Sequence, residues 1–265
     1  MILVVAPTGA YRTKQDHPRL PITMAELGEC AAACSEAGAS MMHLHVRDLK
    51  GRHLLDPAAY REATGVIRRA VRDRLVVQIS TAAAERYGPA EQMAAVKETR
   101  PEATAITLAE MVPNPGYEAE AQRFFHWLFR ERIIVQFSVH NPQELRSYQD
   151  FVRRGVIPPA PHLLLFALGG SADPAEPRAL APLVAALEQD TPWAVCAFGE
   201  NEHAATLAGA ALGGHMRVGF EHNLLLKDGV LAPDNAALVR QARAGAEVLG
   251  RPLLDADGIR ERFIG

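Results

Sequence analysis

The chain has 265 residues, 48% hydrophobic and 22% charged, with a net charge of −3. This is a composition that buries a core and argues against disorder. Lysine and arginine are scattered, so nothing asks for nucleic acid or an anionic membrane as partner. The apolar start over residues 1–6 is too short for a secretory signal, and no apolar run reaches the roughly 20 residues that span a bilayer.

In chain order, a β-branched run over 2–8 leads into a polar, basic, proline-flanked segment over 11–21, readable as a substrate loop or as a solvated connection. An amphipathic helix is predicted over 24–37. Its Cys30 and Cys34 lie four apart on one face, as a metal pair or, the simpler reading, as small buried residues. With Cys196 they form no disulfide framework, so reduced thiols and a cytoplasmic protein are expected.

Further strands are predicted over 41–47, 75–81, 103–108, 133–140, 162–169, 193–199 and 216–224. Helices alternate with them over 57–71, 89–99, 118–130, 142–154, 178–188, 202–212 and 235–249. Thr23, Asp56, Asn141 and Asp234 stand at N-cap positions, and Gly38, Gly155, Gly213 and Gly250 at helix ends. Eight β–α units in this length predict a single-domain (β/α)₈ TIM barrel over 1–265. The competing doubly wound sheet usually carries a glycine-rich first turn, and Pro7-Thr8-Gly9-Ala10 is not one.

A barrel's active site sits where the strands end, and this chain is polar there. Residues two apart on a strand share a face, which groups His43, His45 and Arg47 on the second strand and Arg217, Gly219 and Glu221 on the eighth. Two imidazoles and a carboxylate are a three-ligand set for a catalytic divalent metal. The two strands stand two steps apart around the ring. Gln78, Ser80, Thr107, Gln136, Ser138 and His140 add polar groups to the mouth, and His222 follows Glu221. An inward Arg47 or Arg217 needs an anionic partner, either a carboxylate or the substrate. Gly199-Glu200-Asn201 opens a helix, readable as a phosphate site or as a cap.

These residues resemble the β-keto acid cleavage enzyme family. The likeness runs from Pro7-Thr8-Gly9-Ala10 and His17-Pro18 through His43-Leu44-His45-Val46-Arg47-Asp48 and Gln78-Ile79-Ser80-Thr81 to Gly213-Gly214-His215-Met216-Arg217-Val218-Gly219-Phe220-Glu221. The resemblance implies a barrel with one zinc per subunit held by His43, His45 and Glu221. It implies acetyl-CoA as co-substrate, acetoacetate and a new acyl-CoA as products, and a homo-oligomer, commonly a tetramer. Arg217 and Ser80 match the family's catalytic arginine and substrate-contacting serine.

Three positions depart from the family pattern. His222 stands where an acidic residue usually follows the metal-binding glutamate, Tyr11 where some members carry glutamate, and the loop after strand four differs. His222 is expected as the replacement general base, with packing or metal ligation as its other readings. Arg47, Thr107 and Tyr11 are expected to contact substrate, and the loss of carboxylates speaks against a cationic amino-keto acid. The rival readings are a metal-dependent hydrolase of the H-x-H type and a barrel that binds zinc and small acids without catalysis.

Overall fold

The structure, a computed structural model, describes residues 1–159, 161–170, 175–188 and 191–265. Its strands are β1 (Leu3–Val5), β2 (Met41–Leu44), β3 (Val46–Arg47), β4 (His53–Leu54), β5 (Val76–Ser80), β6 (Ala103–Thr107), β7 (Ile134–Val139), β8 (Leu163–Leu168), β9 (Trp193–Ala197) and β10 (His215–Val218). Its helices are α1 (Met24–Ala37), α2 (Pro57–Val71), α3 (Pro89–Thr99), α4 (Leu108–Met111), α5 (Glu118–Arg130), α6 (Pro142–Arg153), α7 (Leu180–Ala185), α8 (Glu202–Ala211), α9 (Asn235–Val248) and α10 (Ala256–Ile264). Eight strands close a barrel in the order β1-β10-β9-β8-β7-β6-β5-β2, and every pair is parallel. β3 and β4 form a separate antiparallel hairpin.

The helix starts follow the expected caps. Thr23, Asp56, Asn141 and Asp234 each accept a backbone N–H from the first turn of the helix they precede. α1 ends at Gly38, whose φ of 119° belongs to glycine. The helix predicted over 178–188 is shorter, a 3₁₀ turn at Pro177–Ala179 running into α7.

The barrel interior is layered. Ile2, Val4, Met41, Val76, Ala103 and Ile134 form an apolar floor, closed from below by Ala256 and Ile259 of α10. Helix α10 is absent from the sequence prediction. Asp255 caps it by accepting the Gly258 N–H at 2.8 Å. Nearer the C-terminal ends of the strands, the buried side chains turn polar, with His43, Gln78, Gln136 and Arg217. The main core, including Leu3, Val5, Met42, Val77 and Ile79, lies between strands and outer helices.

Candidate metal centre and active site

His43 is on β2, and His45 lies just past its end, so the predicted pairing of the two imidazoles holds although the strand does not continue. After Leu44 the chain leaves the barrel for the β3–β4 hairpin, which places Arg47 opposite His53. This corrects the expected common face for His43, His45 and Arg47. Arg47 donates to the carbonyls of Gly9 at 2.5 Å, Gly51 at 2.7 Å and Arg12 at 3.1 Å. Its charge is stabilised by backbone oxygens, and it fixes the loop after β1, while its buried Nε has no partner among the described residues.

The eighth barrel strand is also shorter than expected. β10 ends at Val218, and Gly219 turns the chain with φ of 140°. A Cβ there would lie 2.3 Å from the Ala6 carbonyl oxygen, so only glycine lets the two chains approach this closely. Glu221 is therefore presented by a turn, not by a strand face. Its N–H donates to Ala6 O at 3.0 Å, and Arg217 Nη2 donates to its Oε2 at 2.7 Å. β1 lies between β2 and β10, which leaves Glu221 and the histidines two strand steps apart as expected.

His43, His45 and Glu221 converge, with one ligand atom from each lying within 4.8 Å of the others. The neighbouring hydrogen bonds assign the tautomers. Gln78 presents its amide oxygen to His43 Nδ1 at 2.8 Å, so that nitrogen carries hydrogen and Nε2 a lone pair. His53 Nε2 donates to Ala82 O at 3.1 Å, which leaves its Nδ1 to accept from His45 Nδ1 at 3.3 Å. His45 Nε2 is then also a lone pair, 3.1 Å from that of His43. Two lone pairs and a carboxylate facing one point repel one another unless a cation lies between them. The donor set thus fits a divalent metal, with Gln78 and His53 orienting the ligands from behind.

Electrostatics agree with a neutral His43 and an ionised Glu221. Burial, aided by the Arg217 charge, holds His43 well below the usual histidine range. Burial alone would raise Glu221, but Arg217, His43 and His45 outweigh it and hold its carboxyl well below the usual value.

The trio opens into a cavity of about 350 Å³ that Thr8, Arg12, Ser80, Thr107, Glu110 and His222 also line. A larger cavity of about 890 Å³ lies at the opposite end of the barrel around Arg251–Asp257 and includes none of the trio. Ser80 Oγ accepts the Ala82 N–H at 3.1 Å, leaving its own hydrogen to donate. Thr107 makes no capping bond for the helix it precedes. Tyr11 sits at the rim, 74% exposed.

His222 is 1% exposed, and its Nδ1 faces Glu202 Oε1 at 4.0 Å, with no hydrogen-bond partner. Burial pushes its imidazole down to about 3. Glu202, on the first turn of α8, is a site residue that the sequence reading missed. It accepts from Gly219 N–H at 2.9 Å and Asn223 Nδ2 at 3.2 Å, which braces the turn that carries Glu221. Burial pushes its carboxyl up to about 8. Asn201 makes no side-chain capping bond for α8, and the first turn of this helix is taken by the buried Glu202 side chain. Arg12 and Glu110 were missed as individual residues, although both fall in loops singled out as departures or as substrate segments.

The fold and the mouth together define a parallel barrel whose three converging ligand groups could hold a metal ion. A family model described as beta-keto acid cleavage enzyme matches residues 1–264. This chain belongs to that family. It is 30% identical over 261 residues to a 3-oxoadipate:acetyl-CoA acetyltransferase of Cupriavidus necator, covering 95% of this chain and 90% of the relative. It is 27% identical over 268 residues to a 3-keto-5-aminohexanoate cleavage enzyme of Fusobacterium nucleatum, covering 98% and 96%. Among solved structures, the apo form of ObcA superimposes with a TM-score of 0.74 at 18% identity, over 93% of this chain and 65% of ObcA. That last likeness concerns the fold alone.

Proposed function

We propose that this enzyme converts a β-keto acid and acetyl-CoA into acetoacetate and a new acyl-CoA. The observation that carries this reading is the convergence of His43, His45 and Glu221 in the mouth of a barrel of this family. The acetyltransferase relative supports the co-substrate, because its name pairs its keto acid with acetyl-CoA.

A zinc ion held by His43, His45 and Glu221 would supply Lewis-acid stabilisation of negative charge on the substrate's keto oxygen. His222 takes a proton from C2 of the keto acid. An imidazole this deeply buried is a weak base alone; the Glu202 carboxyl behind Nδ1, ionised as pH rises through about 8, would stabilise the imidazolium. The Nδ1–Oε1 separation of 4.0 Å closes to a hydrogen bond with a shift of about 1 Å. The C2 carbanion adds to the acetyl carbonyl and expels CoA thiolate. The thiolate then adds to the original keto carbon, the bond from that carbon to C2 breaks, and C2 recovers its proton from His222. Arg217 offsets the negative charge, while the Ser80 and Thr107 hydroxyls donate to substrate oxygens.

The same reading takes residues 1–265 as one domain and the protein as a cytoplasmic homo-oligomer, a tetramer on the resemblance. Exposed Leu49, Val248, Val230 and Leu231 are apolar groups that an assembly would cover. Among the described residues, no helix is long and apolar enough to cross a membrane.

The experiment is to incubate purified protein with acetyl-CoA and a panel of β-keto acids. Acetoacetate formed only when both are present supports the reading. Breakdown of a keto acid without acetyl-CoA would instead mark a hydrolase, and no turnover of any member would mark a binding protein.

A further inference from the structure

The charged groups of the mouth differ in whether they already have partners. Arg217 is held by Glu221 at 2.7 Å and by Gln136 at 3.3 Å. Glu110 Oε2 accepts from Ala83 N–H at 3.0 Å and from Gln92 Nε2 at 2.9 Å. His140 is paired with Glu144 at 2.8 Å. Arg12 is the exception. Its single hydrogen bond runs from Nη2 to the His222 carbonyl at 2.9 Å, and among the described residues it joins no ion pair.

The position of Arg12 is built rather than incidental. Arg47 clamps the loop by donating to Gly9 O at 2.5 Å and Arg12 O at 3.1 Å. The guanidinium is half-buried and lines the same cavity as the three ligand residues. Asp16, Glu202 and Glu221 lie near enough to act on its charge but none forms an ion pair with it, and a guanidinium partly removed from water with donors left over is a site for an anion.

We propose that Arg12 is a specificity-determining residue that binds a second carboxylate on the keto acid, so that the substrate is a β-keto dicarboxylic acid. This rests on the acetyl-CoA-dependent cleavage argued above. The first carboxylate belongs to the reacting end at the metal centre. Arg12, anchored to the carbonyl of His222, would hold the second one. A phosphate of CoA is the other anion that could reach it, and the test separates the two.

The experiment compares a straight-chain β-keto dicarboxylic acid with the β-keto monocarboxylic acid of equal carbon number, using wild type, Arg12→Gln and Arg12→Lys with acetyl-CoA. The expected result is that wild type prefers the dicarboxylic acid. Arg12→Gln should lower kcat/KM for it by about 10- to 100-fold and change the monocarboxylic acid little. Arg12→Lys should restore part of the preference, and the KM for acetyl-CoA should stay level. Equal use of the two acids by wild type overturns the proposal. So does a KM rise confined to acetyl-CoA in Arg12→Gln, which would assign Arg12 to CoA. If wild type forms acetoacetate from neither acid nor from any other β-keto acid, the cleavage reading itself fails. Circular dichroism of the variants separates misfolding from lost recognition.

Discussion

The two ends of the barrel use the same strands for opposite purposes. At the floor, Ile2, Val4, Met41, Val76, Ala103 and Ile134 meet α10, and the interior is sealed by apolar packing. One layer higher, the same strands or their next turns carry His43, Gln78, Gln136 and Arg217, each tied to another polar group. The lesson concerns cost. Burying polar groups is unfavourable where partners are missing, as at Gln78 Nε2, Gln136 Nε2 and Arg217 Nε, and the apolar floor contributes the packing that offsets this charged mouth.

Four substitutions or conditions test this division, beginning with the largest effect. His45→Ala removes a ligand without touching the floor. We expect bound metal and acetyl-CoA-dependent turnover to fall to background, with the far-ultraviolet spectrum retained. Metal analysis and an acetoacetate assay check this. Retained metal at full stoichiometry would break the assignment of the trio.

Ile259→Ala acts at the other end. Deleting a fully buried isoleucine should cost about 2–5 kcal/mol of unfolding free energy. Denaturant titration measures that loss, and kcat of the folded fraction should be unchanged. A lowered kcat would mean that the ends are coupled.

Gln78→Leu leaves the ligands but removes the acceptor that fixes His43. By comparison with other outer-shell partners of metal ligands, affinity should fall by about 10- to 100-fold. Competition against a chelator reads this directly. Unchanged affinity would show that His43 needs no orienting partner.

The pH dependence is the smallest effect per unit and involves Glu202. Its carboxyl is raised from 4.5 to about 8 in the folded protein. The folded state therefore binds the extra proton between those values, and its stabilising contribution, full below pH 4.5, is lost as pH rises through about 8. Stability should fall by about 1.4 kcal/mol per pH unit across that window, and Glu202→Leu should flatten the slope. Thermal unfolding from pH 5 to 9 checks it, and an unchanged slope would mean that Glu202 does not take up the proton on folding.

The barrel was legible because period and punctuation agree. Strand and helix alternation, N-caps such as Asp56 and Asp234, and the Gly38 stop are local signals, and the helices begin where those caps stand. The histidine pair was legible because residues two apart remain on one side even where the strand ends. Arg47 and Glu221 were not legible in the same way. Strand alternation was extended past Leu44 and Val218, where a hairpin and a glycine turn take over. Glu202 and Arg12 carry no local signature, because their roles come from contacts 17 and 210 residues away. Helix α10 was missed because its apolar residues are few and its partner is the barrel floor, which only the closed ring creates.

The most direct test of the central claim follows the acetyl carbons. With acetyl-CoA labelled with carbon-13 in the acetyl group and an unlabelled β-keto acid that the enzyme accepts, the label should appear at C3 and C4 of acetoacetate, with none in the new acyl-CoA. Label remaining in acetyl-CoA or released as acetate while the keto acid disappears would contradict acyl transfer at this site.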